Sequence, residues 1–451
     1  MTQKIIIVGG VGGGATVAAQ IRRQDKTSEV ILFDKGNHIS FSNCGMPYYI
    51  GEVVENRDDL LVEAEAFAEK YGVTVRTKAK VTAIHRSEKQ IQYENHDGVH
   101  TETYDKLILS PGADPIVPDI SGLNTDRTFT LHTIPDMDNI HTFIQNNEPK
   151  HVAVIGAGFI GLEMVENLRE IGLDCTIIDR SEQVMKQVDK DMANIIETHL
   201  TEKSVDVILN DGLDSFSNDG KTLHLTSGKT VKADMTILAV GIKPKSALAA
   251  DASLALGNKE AITVNEYMQT NDPDIYALGD AVETKDFLTD SNKYAALAWP
   301  AHRQAFIIAS HLQKSKIPYH GTLGSAILKV FDLTVAATGH TTSSLENLGY
   351  AFKEVTLDTY SHAGYYPGSE KLSLKILFDG ENGAIYGAQG VGLAGVDKRL
   401  AVLTTAIKGK LTVADLPELE LAYAPPYSSP KDPVNIIGYK AAAMLENKET
   451  R

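Results

Sequence analysis

Apolar runs of four or five residues recur along this chain, and each of the first ones leads into glycine or an acid. Ile5-Ile6-Ile7-Val8 is β-branched and is followed by "GGVGGGA" and a small-residue helical stretch, "TVAAQIRR". A second apolar run, "EVILF", ends at Asp34. The pattern predicts a strand, a glycine turn, a helix and a second strand closed by an acid. It returns in "HVAVIGAGFIGLEMVENL", whose next strand, "DCTIID", ends at Asp179. From Gly321 on, alternating runs such as "LSLKILF" predict a further domain of sheet and helix.

Glycines in such a turn let backbone N–H groups approach a pyrophosphate at the helix N-terminus, and the terminal acid accepts from ribose hydroxyls. The first turn has an imperfect frame. Read as Gly9-x-Val11-x-x-Gly14 it lacks the middle glycine; read as Gly10-x-Gly12-x-x-Ala15 it starts one residue later. The first frame puts a glycine directly after the strand and is preferred, with Gly9, Gly10, Gly14 and Asp34 as binding candidates. The second turn is complete: Gly156, Gly158 and Gly161 have full G-x-G-x-x-G spacing, with Asp179 at the next strand end and Arg180 beside it. Two such units imply two bound dinucleotides. A third segment, "TNDPDIYALGDA", sets a short strand before Gly279 and Asp280, where an acid suits a flavin's ribityl hydroxyls.

Composition narrows the class. The 451 residues are 43% hydrophobic and 23% charged, enough for two or three domains. A net charge of −16 argues against nucleic acid or an anionic membrane as main partner. "MTQKIIIVGG" does not read as a signal peptide, no apolar run has membrane-spanning length, and no His/Cys cluster has metal-ligand spacing. No membrane association and no metal are therefore expected. Two distant cysteines, Cys44 and Cys175, form no disulfide framework, which points to the cytoplasm.

The order of "YDKLILSPGADP", "MTILAVGIKP" and "IYALGDA" around the two glycine turns resembles the two-dinucleotide-binding flavoprotein disulfide reductases over essentially the whole chain. The resemblance implies an α/β fold of two Rossmann-like dinucleotide-binding domains plus a C-terminal α+β dimerisation domain. Residues 1–115 and 245–320 would bind FAD, 116–244 would bind NADH or NADPH, and 321–451 would form the homodimer interface.

Cys44 lies in "SFSNCGMPYYIG", and Tyr49 stands where disulfide-reducing members of this family carry a second cysteine. Cys175, on a strand of the second unit, reads as a buried apolar residue. Cys44 admits that reading too, but Gly45 and Pro47 place it on a turn opening a helix, where a thiolate is favoured. A single cysteine leaves two cycles: thiolate with sulfenic acid, or thiolate with a mixed disulfide. The stretches "SFSNCGMPYYIG", "SHAGYYPGS" and "LAYAPPYSSPKDPVNIIGY" resemble coenzyme A disulfide reductases and their persulfide-reducing relatives. The peroxidases and oxidases of the family carry a histidine at the position of Gly12, absent here.

That resemblance implies coenzyme A contacts at Thr16, Gln20, Arg23, Ser40, Asn43, His302 and Lys431. It also implies catalytic roles for Tyr365 and Tyr423, donated across the dimer, with Tyr366 and Tyr427 as substitutes. Arg22 reads equally as a ligand contact or as a basic cap on the helix C-terminus, and a family lysine near Lys70 has no secure alignment. The reading is NAD(P)H-dependent reduction of coenzyme A disulfide through a Cys44–S–S–CoA mixed disulfide. The alternatives are a coenzyme A persulfide or polysulfide reductase, an NADH oxidase or peroxidase, and a non-enzymatic flavoprotein thiol sensor. The end of the chain soon after "NIIGY" leaves no room for a C-terminal sulfurtransferase domain, which favours the disulfide as substrate.

Overall fold

The computed structural model describes residues 3–445 and divides them into two compact units. The first comprises residues up to Val117, Thr130–Asn146 and Gly241–Thr322. Its centre is a five-stranded parallel sheet in the order Ile275–Ala277, Lys106–Leu109, Lys4–Val8, Glu29–Phe33, Thr74–Arg76. Successive residues of a strand point to opposite faces, so a strand covered on both sides reads as a continuous apolar run. Ile5 and Ile7 pack with Val17, Ala18 and Ile21 of the Gly12–Gln24 helix and with the Ala298–Leu312 helix. Ile6 and Val8 face the other way, into a core shared with Ile84, Ile91 and Tyr93 of an antiparallel three-stranded sheet.

The second unit comprises Pro118–Phe129, Asn147–Val240 and the chain from Leu323 on. It holds a second parallel sheet, ordered Val205–Ile208, Asp174–Ile178, His151–Ile155, Met235–Leu238, Thr128–Phe129. It also holds an antiparallel sheet, ordered Ala326–Val330, Leu333–Gly339, Ile385–Gly392, Lys371–Phe378, Lys353–Tyr360. Two ion pairs join these sheets' surroundings: Lys329 with the buried Glu166, and Lys375 with Asp189 at 3.2 Å. Lys375 lies inside the "LSLKILF" strand and is itself buried. Asp189, Asp191 and Glu354 compensate its charge, as burial of an ammonium requires. The mixed α/β architecture and the antiparallel C-terminal sheet match the fold class expected from the sequence. No helix among the described residues is long and apolar enough to cross a membrane.

Candidate active site

The first glycine turn adopts the frame Gly9-x-Val11-x-x-Gly14. Gly9 follows its strand at φ +99°, and a Cβ there would overlap the Ser110 carbonyl; a Cβ on Gly14 would overlap the Gly9 carbonyl. These two positions need glycine for conformation and for close helix–strand packing. Val11, at φ −86°, lies outside the left-handed region that favours glycine, so the missing middle glycine does not break the turn. The Asp34 carboxylate accepts from Gly10 N and from Gly36 N, both at 2.7 Å. The strands before Gly9, Ser110 and Gly279 are neighbours in one sheet, so these three turns line one carboxyl edge, the ordinary place for a nucleotide. Gly279 N donates to Gln304 Oε1 at 2.8 Å, and burial pushes the Asp280 carboxyl up, with Lys245 opposing. This cradle of small residues, helix N–H donors and two acids fits a dinucleotide.

The second turn repeats the first. Gly156 stands at φ +109° against the Ala239 carbonyl, and Gly161 packs on the Gly156 carbonyl. A Cβ on Gly158 would meet nothing within 4 Å, which leaves the backbone open to a phosphate. Asp179 Oδ2 accepts from Ala157 N and Oδ1 from Ser181 N, both at 2.7 Å. Burial works against its charge, yet these hydrogen bonds hold the carboxyl below its usual range. Arg180 is exposed beside it. Two residues after Gly161, Glu163 is pushed up to about 7 by burial and by the neighbouring Glu166 charge. Glu163 is not among the residues singled out from the sequence, although its place on the glycine-turn helix was an available signal.

Cys44 is exposed on the short 3₁₀ turn Asn43–Gly45, which runs into the five-residue helix Met46–Ile50 with Pro47 in its first turn. Met46, Pro47 and Ile50 are buried, so the following helix anchors the turn while Cys44 itself stays exposed. Asn43 Nδ2 donates to the His132 carbonyl at 3.1 Å. Ser40, at φ +50°, donates its N–H to the Gly10 carbonyl at 2.9 Å, tying the cysteine segment to the first glycine turn. Thr130–Asn146 braces the same segment: the Arg57 guanidinium forks onto Asp138 at 2.7 and 2.8 Å, and the Tyr49 ring lies 5.1 Å from that of His141. Cys175 is buried, and burial pushes its thiol up to about 12.

Thr16, Gln20 and His302 line one cleft of about 490 Å³, where Thr16 Oγ1 lies 3.0 Å from His302 Nδ1. Trp299, Arg303 and Phe306 line it too, and the sequence analysis missed them. Their spacing with His302, one stripe of a helix, was the legible signal. Arg23 is exposed, 5.8 Å from the Tyr71 ring, and Lys70 lies 5.4 Å from the same ring. Arg22 turns inward instead, donating to the carbonyls of Tyr71, Asp25 and Ser28 at 3.0–3.2 Å.

The tyrosines lie in the second unit. Tyr365 and Tyr423 are exposed, with hydroxyls 3.2 Å apart, and that hydrogen bond raises the Tyr423 phenol. Their loops are joined by a residue that sequence reasoning missed. The buried Arg399 guanidinium donates to the Ser361 carbonyl at 2.8 Å and to Asp432 Oδ2 at 3.0 Å, while Ala363 N donates to the Ser428 carbonyl. Asp432 also caps the Pro433–Ala442 helix in a capping box with Asn435. Tyr366 and Tyr427 are exposed as well, and Lys431 rests 5.4 Å from the Tyr439 ring.

Comparison with known proteins adds relatives to this geometry. The family profile of pyridine nucleotide-disulphide oxidoreductases matches residues 3–305, and that family's dimerisation domain matches residues 325–432. A coenzyme A disulfide reductase of Staphylococcus haemolyticus is 42% identical over 443 residues, covering 97% of this chain and 99% of its own. The crystal structure of reduced Bacillus anthracis CoADR-RHD superposes with a TM-score of 0.97 at 46% identity, over 99% of this chain and 81% of the other. A NAD-dependent persulfide reductase from A. fulgidus gives a TM-score of 0.95 at 34% identity, over 97% and 83%.

Proposed function

The chain belongs to the pyridine nucleotide-disulphide oxidoreductase family, and from that premise we propose that it reduces coenzyme A disulfide to two coenzyme A thiols with NAD(P)H. The observation that carries this reading is the exposed Cys44 on a turn braced by the buried Met46, Pro47 and Ile50, with Tyr49 in place of a second cysteine. Gly9, Gly10, Gly14, Asp34, Gly279 and Asp280 would hold FAD, which would supply two-electron transfer from the nicotinamide nucleotide. The nucleotide is held by Gly156, Gly158, Gly161 and Asp179, with Arg180 at hand for a 2′-phosphate.

The Cys44 thiolate attacks one sulfur of the substrate. One S–S bond breaks, one coenzyme A leaves as thiolate, and Cys44–S–S–CoA forms. Tyr365 and Tyr423, supplied by the partner subunit, protonate the departing sulfur; their mutual hydrogen bond supports this by presenting two phenols at one point. Two electrons then cleave the mixed disulfide, releasing the second coenzyme A and restoring the Cys44 thiolate. Ser40 and Asn43 position the thiol arm beside Cys44, while Thr16, Gln20, Arg23, His302 and Lys431 receive the remainder of the molecule. Lys70 joins this set because it shares the Tyr71 ring with Arg23.

In this reading residues 1–115 and 245–320 serve FAD, 116–244 the nicotinamide nucleotide, and 321–451 the homodimer. The enzyme works in the cytoplasm, where thiols stay reduced. A coenzyme A persulfide is a second substrate candidate, favoured by the likeness to the A. fulgidus persulfide reductase. Peroxide chemistry is disfavoured because Gly12 stands where the family's peroxidases and oxidases carry a histidine. Steady-state NAD(P)H consumption on coenzyme A disulfide, coenzyme A persulfide, peroxide and oxygen tests the assignment. Coenzyme A disulfide should give the highest kcat/KM. Turnover on peroxide or oxygen alone would refute the reading.

A further inference from the structure

The short Gly279–Ala281 turn is held at both ends by chain that follows it. Its first N–H, on Gly279, is taken by Gln304, which is buried on the Ala298–Leu312 helix and hydrogen-bonded in turn to Tyr319. The other end is reached by a hairpin. The strands Val282–Lys285 and Asn292–Lys293 pair antiparallel, and the Lys293 ammonium meets the buried Asp286 at 2.6 Å across their loop. The next residue, Tyr294, arrives back at the turn, and its hydroxyl donates to the Asp280 carbonyl at 2.8 Å.

The Asp280 carboxylate is bound differently from its backbone. No group among the described residues hydrogen-bonds it, and Lys245 acts on it through charge alone. A partly buried acid without a hydrogen-bond donor is poorly compensated, and it gains most from donors that a ligand brings. Its direction is then fixed only through its backbone, which Gln304 and Tyr294 hold. The hairpin itself does not need the Tyr294 hydroxyl, since strand pairing and the Lys293–Asp286 pair already close it. Tyr294 is half-buried, and burial together with the Asp280 charge pushes its phenol up, so the hydroxyl remains a donor throughout the neutral range.

We propose that Tyr294 is a positioning residue for the flavin: by holding the Asp280 carbonyl it aims the open carboxylate at the ribityl hydroxyls, and so sets how firmly FAD is retained. The effect of its hydroxyl passes through Asp280. The inference rests on FAD occupying this edge of the sheet, and the test separates the two claims.

Release of FAD from the diluted holoenzyme is followed by the emission of the freed flavin. Tyr294→Phe keeps the ring and removes only the hydroxyl; it should speed release about 5-fold, the worth of one intramolecular hydrogen bond. In an Asp280→Ala background, the same change should alter release by less than about 2-fold, because the group that Tyr294 positions is gone. Asp280→Asn serves as the background if the alanine variant does not retain flavin, and there the factor should fall below that in the parent. A hydroxyl that merely supports the hairpin would speed release by the same factor in both backgrounds. That result, or an unchanged rate in Tyr294→Phe alone, would overturn the inference. A parent protein that takes up no flavin would instead overturn the assignment of FAD.

Discussion

Tyr365 and Tyr423 meet hydroxyl to hydroxyl at 3.2 Å although 58 residues separate them in the chain. Neither ring is held by burial, since both are exposed. Their loops are held from beneath by Arg399, whose guanidinium binds the Ser361 carbonyl of one loop and the Asp432 carboxylate that closes the other. Removing Arg399 takes the nearer counter-charge from the buried Asp432 and leaves it only Lys398 Nζ at 3.9 Å, which costs up to about 3–5 kcal/mol. Thermal denaturation should therefore show a large loss for Arg399→Ala and a smaller one for Arg399→Lys. Tyr365→Phe should leave stability within about 0.5 kcal/mol, as for other exposed sites, and lower kcat instead. A fully stable Arg399→Ala variant would show that the loops are held by something else.

Asp179 has both carboxylate oxygens on backbone N–H groups, which fixes it at the end of its strand. In the proposed reading it accepts from an adenosine 2′-hydroxyl there and repels a 2′-phosphate, while the adjacent Arg180 attracts one. Use of both nucleotides is expected. Asp179→Ala should raise kcat/KM for NADPH relative to NADH by roughly 10-fold, taking about 1.4 kcal/mol for the lost contact. An unchanged ratio would remove Asp179 from nucleotide choice.

Glu163 is an acid whose folded-state pKa, about 7, lies above its ordinary value of 4.5. A raised acid takes up a proton on folding, so its effect costs stability as pH rises through the window from about 4.5 to about 7. Glu163→Gln should match the parent protein near pH 4.5 and exceed it at pH 8, by about 3 kcal/mol. Denaturant unfolding at the two pH values measures this. Equal stability differences at both would mean that Glu163 does not titrate in this window.

The glycine turns and their acids were legible because they are local: strand, turn, helix and next strand follow one another within about thirty residues. The exposed Cys44 was legible for the same reason, from Gly45 and Pro47 beside it. What braces Cys44 was not legible. The Arg57–Asp138 fork spans 81 residues and the Asn43–His132 contact 89, and no local periodicity encodes such pairs. Arg399 was hidden differently, as a cation inside a helix whose partners lie 33 and 38 residues away. Arg22 and Arg23 show the limit at a single step. They are neighbours in sequence, yet the helix turns one inward to backbone carbonyls and leaves the other exposed.

Shared sites predict complementation between subunits. Cys44→Ser and the double variant Tyr365→Phe/Tyr423→Phe should each be inactive or nearly so. Mixed dimers would contain one site with cysteine and both tyrosines intact, so up to half of the parental activity per dimer should return. Mixed dimers that form, as mass spectrometry would show, and recover no activity would place all three groups within one subunit.

The central claim is that the redox partner of Cys44 is the substrate's own thiol. Intact-mass measurement of the oxidised protein, after incubation with coenzyme A disulfide, tests it most directly. One coenzyme A per subunit, lost on reduction and absent from Cys44→Ser, is the predicted result. A single added oxygen on Cys44, or no adduct at all, would contradict it.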